Sequence, residues 1–247
     1  MTVPHPARYE LHYWPTIQGR GEFVRLALEH AGIDYIDVAR LPEDNGGGEE
    51  ALVRFLDEDP HFPAFAPPVL KTVDMTIAQT ANILLFLGSR HALAPADHAG
   101  WLWAHQLQLT IMDFVVEVHD THHPLGVTLY YDDQRAEASR RTAEFASQRV
   151  PKFFDYFERV LKRNPEGDAH LVGETLSYVD LSLFQIVAGM LYAFPNLMGR
   201  VRTRYPLLLG LHDRVAAQPR ISAYLASKRR IAFNEDGIFR HYPELDR

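Results

Sequence analysis

Polar and apolar residues alternate along Tyr9-Glu10-Leu11-His12-Tyr13-Trp14, with Tyr9, Leu11 and Tyr13 on one face, which is the period of a half-buried strand. Pro15 ends it. Over residues 22–31 the period changes to helical, with Val24, Ala27, Leu28 and Ala31 on one stripe, and Gly32 supplies a common helix terminator. Residues 33–38 read as a second strand. After a flexible connection at Asn45-Gly46-Gly47-Gly48, residues 49–56 read as a short helix. Residues 67–72 followed by Met75-Thr76-Ile77 predict a hairpin turned at Val73-Asp74, and residues 79–87 a helix ending at Gly88. The order βαβ then ββα suits a small four-stranded sheet carrying helices.

The rest of the chain shows almost only helical periods, at about residues 101–120, 134–163, 178–191 and 207–217. This change of texture divides the chain into an α/β N-terminal domain (residues 1–88), a linker (89–98) and an all-α C-terminal domain (99–247). Ser177-Tyr178-Val179-Asp180 carries the Ser-x-x-acid pattern of a helix start, in which hydroxyl and carboxylate satisfy otherwise orphaned amides. The most membrane-like window, residues 181–198, is interrupted by Ser182, Gln185, Pro195 and Asn196, short of the roughly 20 apolar residues a bilayer requires. It reads as a buried helix, and no membrane partner is expected. The tail, residues 231–247, carries Phe233, Ile238, Phe239, Tyr242 and Leu245 and is expected to pack back on the protein, whereas Lys228-Arg229-Arg230 reads as a solvated helix end.

Composition narrows the chemistry. The 247 residues are 47% apolar and 23% charged, a folded and water-soluble balance with length for two cores. Lys and Arg (25) against Asp and Glu (32) leave a net charge of −7, which repels phosphate backbones and argues against a nucleic-acid partner. The absence of cysteine removes disulfides, thiolate metal ligands and cysteine nucleophiles, so any thiol chemistry uses a thiol from outside. Residues 1–8 lack the pattern of a secretory signal, giving a cytoplasmic address by default.

Five motifs in order, Tyr9-x-Leu11-x-Tyr13-Trp14, Gly19-Arg20-Gly21-Glu22-Phe23-Val24-Arg25, Pro68-Val69-Leu70, Ala78-Gln79-Thr80-Ala81-Asn82-Ile83 and Leu176-Ser177-Tyr178-Val179-Asp180, resemble a glutathione S-transferase across both domains. The likeness is to the tyrosine-type, bacterial- or sigma-like, two-domain cytosolic form. It implies a thioredoxin-like N-terminal domain, an all-helical C-terminal domain, a homodimer, and a site between the domains for glutathione as co-substrate and a small hydrophobic electrophile.

The resemblance assigns roles to particular residues. Tyr13 corresponds to the hydroxyl that donates to the glutathione sulfur, and Arg20 to a cation that adds positive potential there, although a surface ion pair suits Arg20 equally. Five residues separate Tyr13 from Gly19 where the pattern has four, and Gln18 stands where the family has the first Arg of Arg-Gly-Arg. A looped segment makes Thr16 the alternative hydroxyl. Gln79-Thr80 matches the pair that receives the γ-glutamyl carboxylate at a helix N-terminus. Pro68 matches the family's cis-proline, and Pro67 before it retains a carbonyl but no N–H for the cysteinyl unit. Trp14 packs against glutathione or lines the domain interface, and Asp113 corresponds to the acid that reaches across the dimer or is an exposed helical carboxylate.

His119-Asp120-Thr121-His122-His123 places two histidines one helical turn apart, but Pro124 follows and no third ligand stands nearby, so no metal is expected. In the resemblance His122 or His123 borders the electrophile pocket, or simply faces water. Three functions follow: conjugation of the glutathione thiolate to apolar electrophiles; glutathione-dependent peroxide or disulfide reduction; and a non-catalytic ligand-binding or interaction role on the same fold.

Overall fold

A computed structural model describes residues 9–58 and 63–247; the reading of residues 1–8 lies outside the described residues. The alternating segment forms β1 (Tyr9–His12), which runs parallel to β2 (Tyr35–Asp37) and antiparallel to β3 (Val69–Lys71). β3 turns through Thr72–Met75 into antiparallel β4 (Thr76–Ala78), so the expected hairpin is present and the sheet order is β2-β1-β3-β4. Tyr9, Leu11 and Tyr13 enter the apolar core with Leu70 and the helices α1 (Gly21–Ala31) and α3 (Thr80–Arg90). The opposite face is also covered: His12 stacks on Phe55 of α2 (Glu49–Glu58), ring centroids 3.6 Å apart. This small mixed sheet is the thioredoxin-like part.

Glycines fix two local outcomes. Gly32 sits at φ 67° and closes α1 by donating to the Glu29 and Leu28 carbonyls. Gly88 does not end α3, contrary to the sequence reading. The helix continues to Arg90, and the glycine instead makes room for the Tyr178 ring, which lies where a side chain at position 88 would sit. The Asn45–Gly48 stretch is a closed turn rather than a flexible connection, with Gly47 and Gly48 donating to the Pro42 and Ala39 carbonyls.

The C-terminal part is helical throughout. α4 (His98–His119) begins earlier than its apolar period suggests, because the Asp97 carboxylate accepts the Gly100 N–H at 2.8 Å. The expected 134–163 helix is α5 (Arg135–Glu144), a wide turn at Phe145–Arg149, and α6 (Val150–Arg163). Pro151 explains the interruption: without an N–H, and with a ring that crowds the preceding turn, it is accommodated by widening that turn. α7 (Tyr178–Ala193) is buried on nearly every side, as its unbroken apolar character requires, and bends by 114° into α8 (Pro195–Val201). Among the described residues no single helix is long and apolar enough to cross a membrane. α9 (Pro206–Ala216) and α10 (Pro219–Leu225) follow, and the tail packs back, burying Ile238, Phe239 and Leu245.

The start of α7 is fixed by Asp180. Its buried carboxylate accepts the Ser177 N–H (2.8 Å), the Ser177 hydroxyl (2.6 Å) and the Leu171 N–H (2.7 Å). Asp180→Ala leaves two buried amides without acceptors, and urea unfolding is expected to show a loss of about 3 kcal/mol. A loss within error of zero would mean the loop at Leu171 does not depend on this carboxylate.

Candidate active site

Continuing the strand registers brings three separate motifs together. His12 pairs with Val69, which pairs with Ala78, so Tyr13, Pro68 and Gln79 follow in one row across β1, β3 and β4. Each stands where its strand gives way to a loop or helix, and such strand ends are where side chains and free backbone groups face a ligand.

Tyr13 is 4% exposed. Its hydroxyl accepts the Arg20 N–H at 2.7 Å, and its ring lies against Gly19 and Gly21, where a Cβ would overlap it. Burial raises the phenol's pKa, opposed by the amides of Arg20 and Gly21 and by the Arg25 guanidinium 5.7 Å from the ring. The group is therefore a neutral O–H at physiological pH. Its proton is not taken by any described residue, and a hydroxyl that accepts a hydrogen bond donates more strongly. The Arg20 side chain is partly buried and still cationic, its pKa lowered by desolvation, and it has no ion-pair partner among the described residues. Thr16 is exposed; its carbonyl, not its hydroxyl, is engaged, accepting from Asn234 at 2.9 Å. Trp14 is half buried against the core.

At the other end of the row, the Pro67–Pro68 peptide is cis. Gln79 holds φ 71°, a left-handed conformation that a non-glycine residue adopts only when its surroundings impose it. This turns the chain abruptly into α3, whose first residue, Thr80, is buried with its hydroxyl unpartnered. An orphaned hydroxyl, first-turn amides without helical acceptors and the positive end of a helix are the groups from which anion sites are built.

Asp113 lies away from this row. It is exposed on α4, in a cavity of about 510 Å³ shared with Thr110, Glu117, Arg149, Lys152 and Arg159. His122 is buried with both ring nitrogens engaged, Nε2 against the Ile238 carbonyl (2.8 Å) and Nδ1 against His123 Nδ1 (3.0 Å). His123 also reaches the His122 carbonyl at 2.7 Å. Burial pushes His119 down to about 4 and His122 down to about 3, so these rings are uncharged at neutral pH. Among the described residues no group of three or more His, Asp or Glu side chains is arranged to hold a metal ion.

The tail roofs this region. Asn234 ties it to the β1–α1 loop, Phe239 lies against Gly189, Tyr242 stacks on Tyr131 at 3.9 Å, and Asp246 accepts the Asn196 and Leu197 amides that open α8. Beneath it, between Gln18-Gly19 and Phe233, Ile238 and Phe239, the cavity is only about 10 Å³.

A family model described as the glutathione S-transferase C-terminal domain matches residues 119–228. The chain is 27% identical to glutathione S-transferase P 1 of Xenopus laevis, covering 90% of this chain and 93% of that one, and 22% identical to the glutathione S-transferase of Plasmodium falciparum (isolate 3D7), covering 88% and 95%. The solved Pi-class glutathione S-transferase of Onchocerca volvulus superimposes with a TM-score of 0.70 at 19% identity, over 92% of this chain and 98% of that one. Over about nine-tenths of its length the chain is thus similar to glutathione S-transferases, and residues 119–228 match the C-terminal domain of that family.

The sequence reading missed a polar cluster beside the row. Gln18 and Gln185 join their carboxamides at 2.7 Å, and Arg230 pairs with Glu22 and reaches Gln185 at 3.0 Å. Glu22 also contacts Arg25 and accepts the Tyr224 hydroxyl at 2.6 Å; burial first, and then this carboxylate, push the Tyr224 phenol up. Arg230 is thus mostly withdrawn from water, its side chain 10% exposed, not the solvated helix end expected, because buried Glu22 requires a cation. The one available signal was Gln185, a polar interruption in an apolar helix.

The neutral histidines set a pH dependence for the protein's stability. A histidine whose folded pKa lies below its unfolded value near 6.5 contributes stability that is full above that value and falls as pH drops toward the folded pKa. His122 therefore contributes a slope of about 1.4 kcal/mol per pH unit between roughly pH 6 and 4. In His122→Gln the melting temperature is expected to fall less steeply over that range than in the parent; parallel curves would assign the acid sensitivity elsewhere.

Proposed function

We propose that this protein is a glutathione transferase that conjugates the glutathione thiolate to apolar electrophiles, with the site between an N-terminal domain of residues 1–88 and a helical domain of residues 99–247. The carrying observation is the Tyr13 phenol: neutral, polarised by the Arg20 amide, and with an unused proton. A free thiol with a pKa near 8.5 is only a few per cent ionised at neutral pH, and a donor aimed at the sulfur favours the thiolate. Lowering that pKa by about two units requires roughly 2.7 kcal/mol of differential stabilisation, within reach of a buried donor assisted by the Arg20 charge.

The remaining parts of glutathione have partners in the same row. The γ-glutamyl carboxylate meets the Thr80 hydroxyl and the first amides of α3, and the strained Gln79 backbone presents them. The cysteinyl N–H meets the Pro67 carbonyl; Pro67 gives no N–H in return, so this unit is held by one backbone hydrogen bond rather than two. The thiol falls opposite Tyr13, with Thr16 on the exposed side of the loop. Similarity to glutathione S-transferases supports glutathione as co-substrate, and none of these residues needs a metal for the chemistry.

Tyr13→Phe is expected to lower kcat/KM toward an aryl halide by about 100-fold and to abolish the bound thiolate's ultraviolet absorbance. Retention of that absorbance in Tyr13→Phe and its loss in Thr16→Ala would transfer the role to Thr16. A non-catalytic binding role has one observation on its side, the cavity of about 10 Å³ left under the tail. Glutathione-saturated protein without turnover on a broad electrophile panel would favour that role.

We also infer a homodimer through the α4 face. Leu102, Leu109 and Val116 recur every seven residues along α4 and are about half exposed, and Phe65 is 97% exposed on the loop before β3. A monomer gains nothing from such a stripe, whereas a second copy buries it. Sedimentation is expected to show a dimer that Leu109→Glu dissociates; a monomeric parent protein would overturn the assignment.

A further inference from the structure

Gln18 is the position at which this chain departs from the family's Arg-Gly-Arg run, and its side chain is 5% exposed. Nε2 donates to the Ile231 carbonyl at 2.6 Å, and Oε1 accepts from Gln185 Nε2 at 2.7 Å. Gln185 Oε1 in turn accepts from Arg230 at 3.0 Å, and the Gln18 carbonyl accepts the Glu22 N–H at 3.0 Å. Residue 18 is therefore held from three sides, by α7, by the first residue of the tail and by α1.

The next peptide carries the consequence. Gly19 sits at φ 45°, and Arg20 donates its N–H to the Tyr13 hydroxyl at 2.7 Å. A Cβ on Gly19 would overlap the phenol oxygen, so backbone and hydroxyl are already in contact and a shift of the loop changes that hydrogen bond directly. One residue separates the clamp from the interaction that polarises the phenol.

The identity of the clamp follows from charge. Arg25 and Arg230 face the carboxylates of Glu22 and Asp37 in this interior. A third guanidinium at position 18 would be buried without a counter-charge, which is strongly unfavourable. A carboxylate at 18 would be set against the Ile231 carbonyl with no proton to donate. A neutral amide both donates and accepts, and satisfies both partners.

We propose that Gln18 is a positioning residue: the Gln18–Gln185 carboxamide pair holds the Arg20 amide on the Tyr13 hydroxyl and thereby sets the phenol's strength as a donor to the glutathione sulfur. This rests on the reading that Tyr13 ionises glutathione. A role confined to joining the two domains would alter stability without altering the phenol.

The test uses the full chain with Gln18→Ala and Gln185→Leu, read two ways. Without glutathione, NMR hydrogen exchange reports the Arg20 amide against the core amides of α1; with glutathione, an ultraviolet pH titration reports the bound thiol. In Gln18→Ala the Arg20 amide is expected to exchange about ten-fold faster relative to that core. The bound thiol's pKa is expected to rise by about one unit, a ten-fold loss of thiolate below it, with glutathione affinity within about three-fold of the parent. Gln185→Leu removes only the far half of the clamp and should move both readouts the same way by less, and it decides the question if Gln18→Ala does not fold. An unchanged Arg20 amide, or a faster amide with an unchanged thiol pKa, overturns the proposal. A parent protein that binds glutathione but shows no thiolate absorbance removes the Tyr13 reading and this proposal with it, while faster exchange at Arg20 would still register the clamp itself.

Discussion

Arg25 has no exposed surface, and a guanidinium in that position exists only where carboxylates surround it. Asp37 at the end of β2 takes its Nε at 2.7 Å, and Glu22, one turn earlier on α1, takes Nη1 at 3.4 Å. These carboxylates hold Arg25 charged, its pKa raised against the pull of desolvation. Glu22 then binds Arg230 and Tyr224, so one buried charge on α1 fastens β2, α10 and the root of the tail to the same point. The loop between β1 and α1 begins and ends on this fixed body, and the geometry around Tyr13 is inherited from it.

Beside this ion-paired interior, three open groups lie close together. Thr80 keeps a buried hydroxyl without a partner, Gln79 keeps a backbone conformation that costs about 1–3 kcal/mol, and Tyr13 keeps a spare proton. All three lie in the row made by the ends of β1, β3 and β4. Buried polar atoms without partners occur elsewhere as well, Gln108 and Ser182 among them, but on the proposed function this row joins an open hydroxyl, a strained backbone and a spare proton where a ligand with a carboxylate at one end and an acidic hydrogen at the other would use all three.

What the sequence made legible was local. The alternation of Tyr9, Leu11 and Tyr13, the left-handed glycine at 32 and the Ser177–Asp180 helix start depend on neighbours within a few residues, and each is found where the pattern put it. Gly88, Arg230 and the route of the tail at Ile238 depend on Tyr178, Glu22 and His122, partners some 90 to 210 residues away, and no period in the chain encodes them. The wide turn before Pro151 lies between these cases: the proline was visible, but whether it breaks a helix or widens one is decided by the packing of α5 and α6. For the candidate site, Tyr13, Pro68, Gln79 and Thr80 were legible because a motif carries them, whereas Gln18 with Gln185 was not, being a pairing that only the tertiary structure creates.

The tail is anchored at both ends, by Gln18 at Ile231 and by Asp246 on the amides that open α8, with Asn234 tied to the β1–α1 loop and Phe239 packed on Gly189 between them. A strap fastened in this way bows rather than detaches. On the proposed function, the cavity of about 10 Å³ beneath it would admit a bulky acceptor to the sulfur only if residues 232–241 lifted, so entry of the reactant and escape of its adduct would share one mechanical barrier.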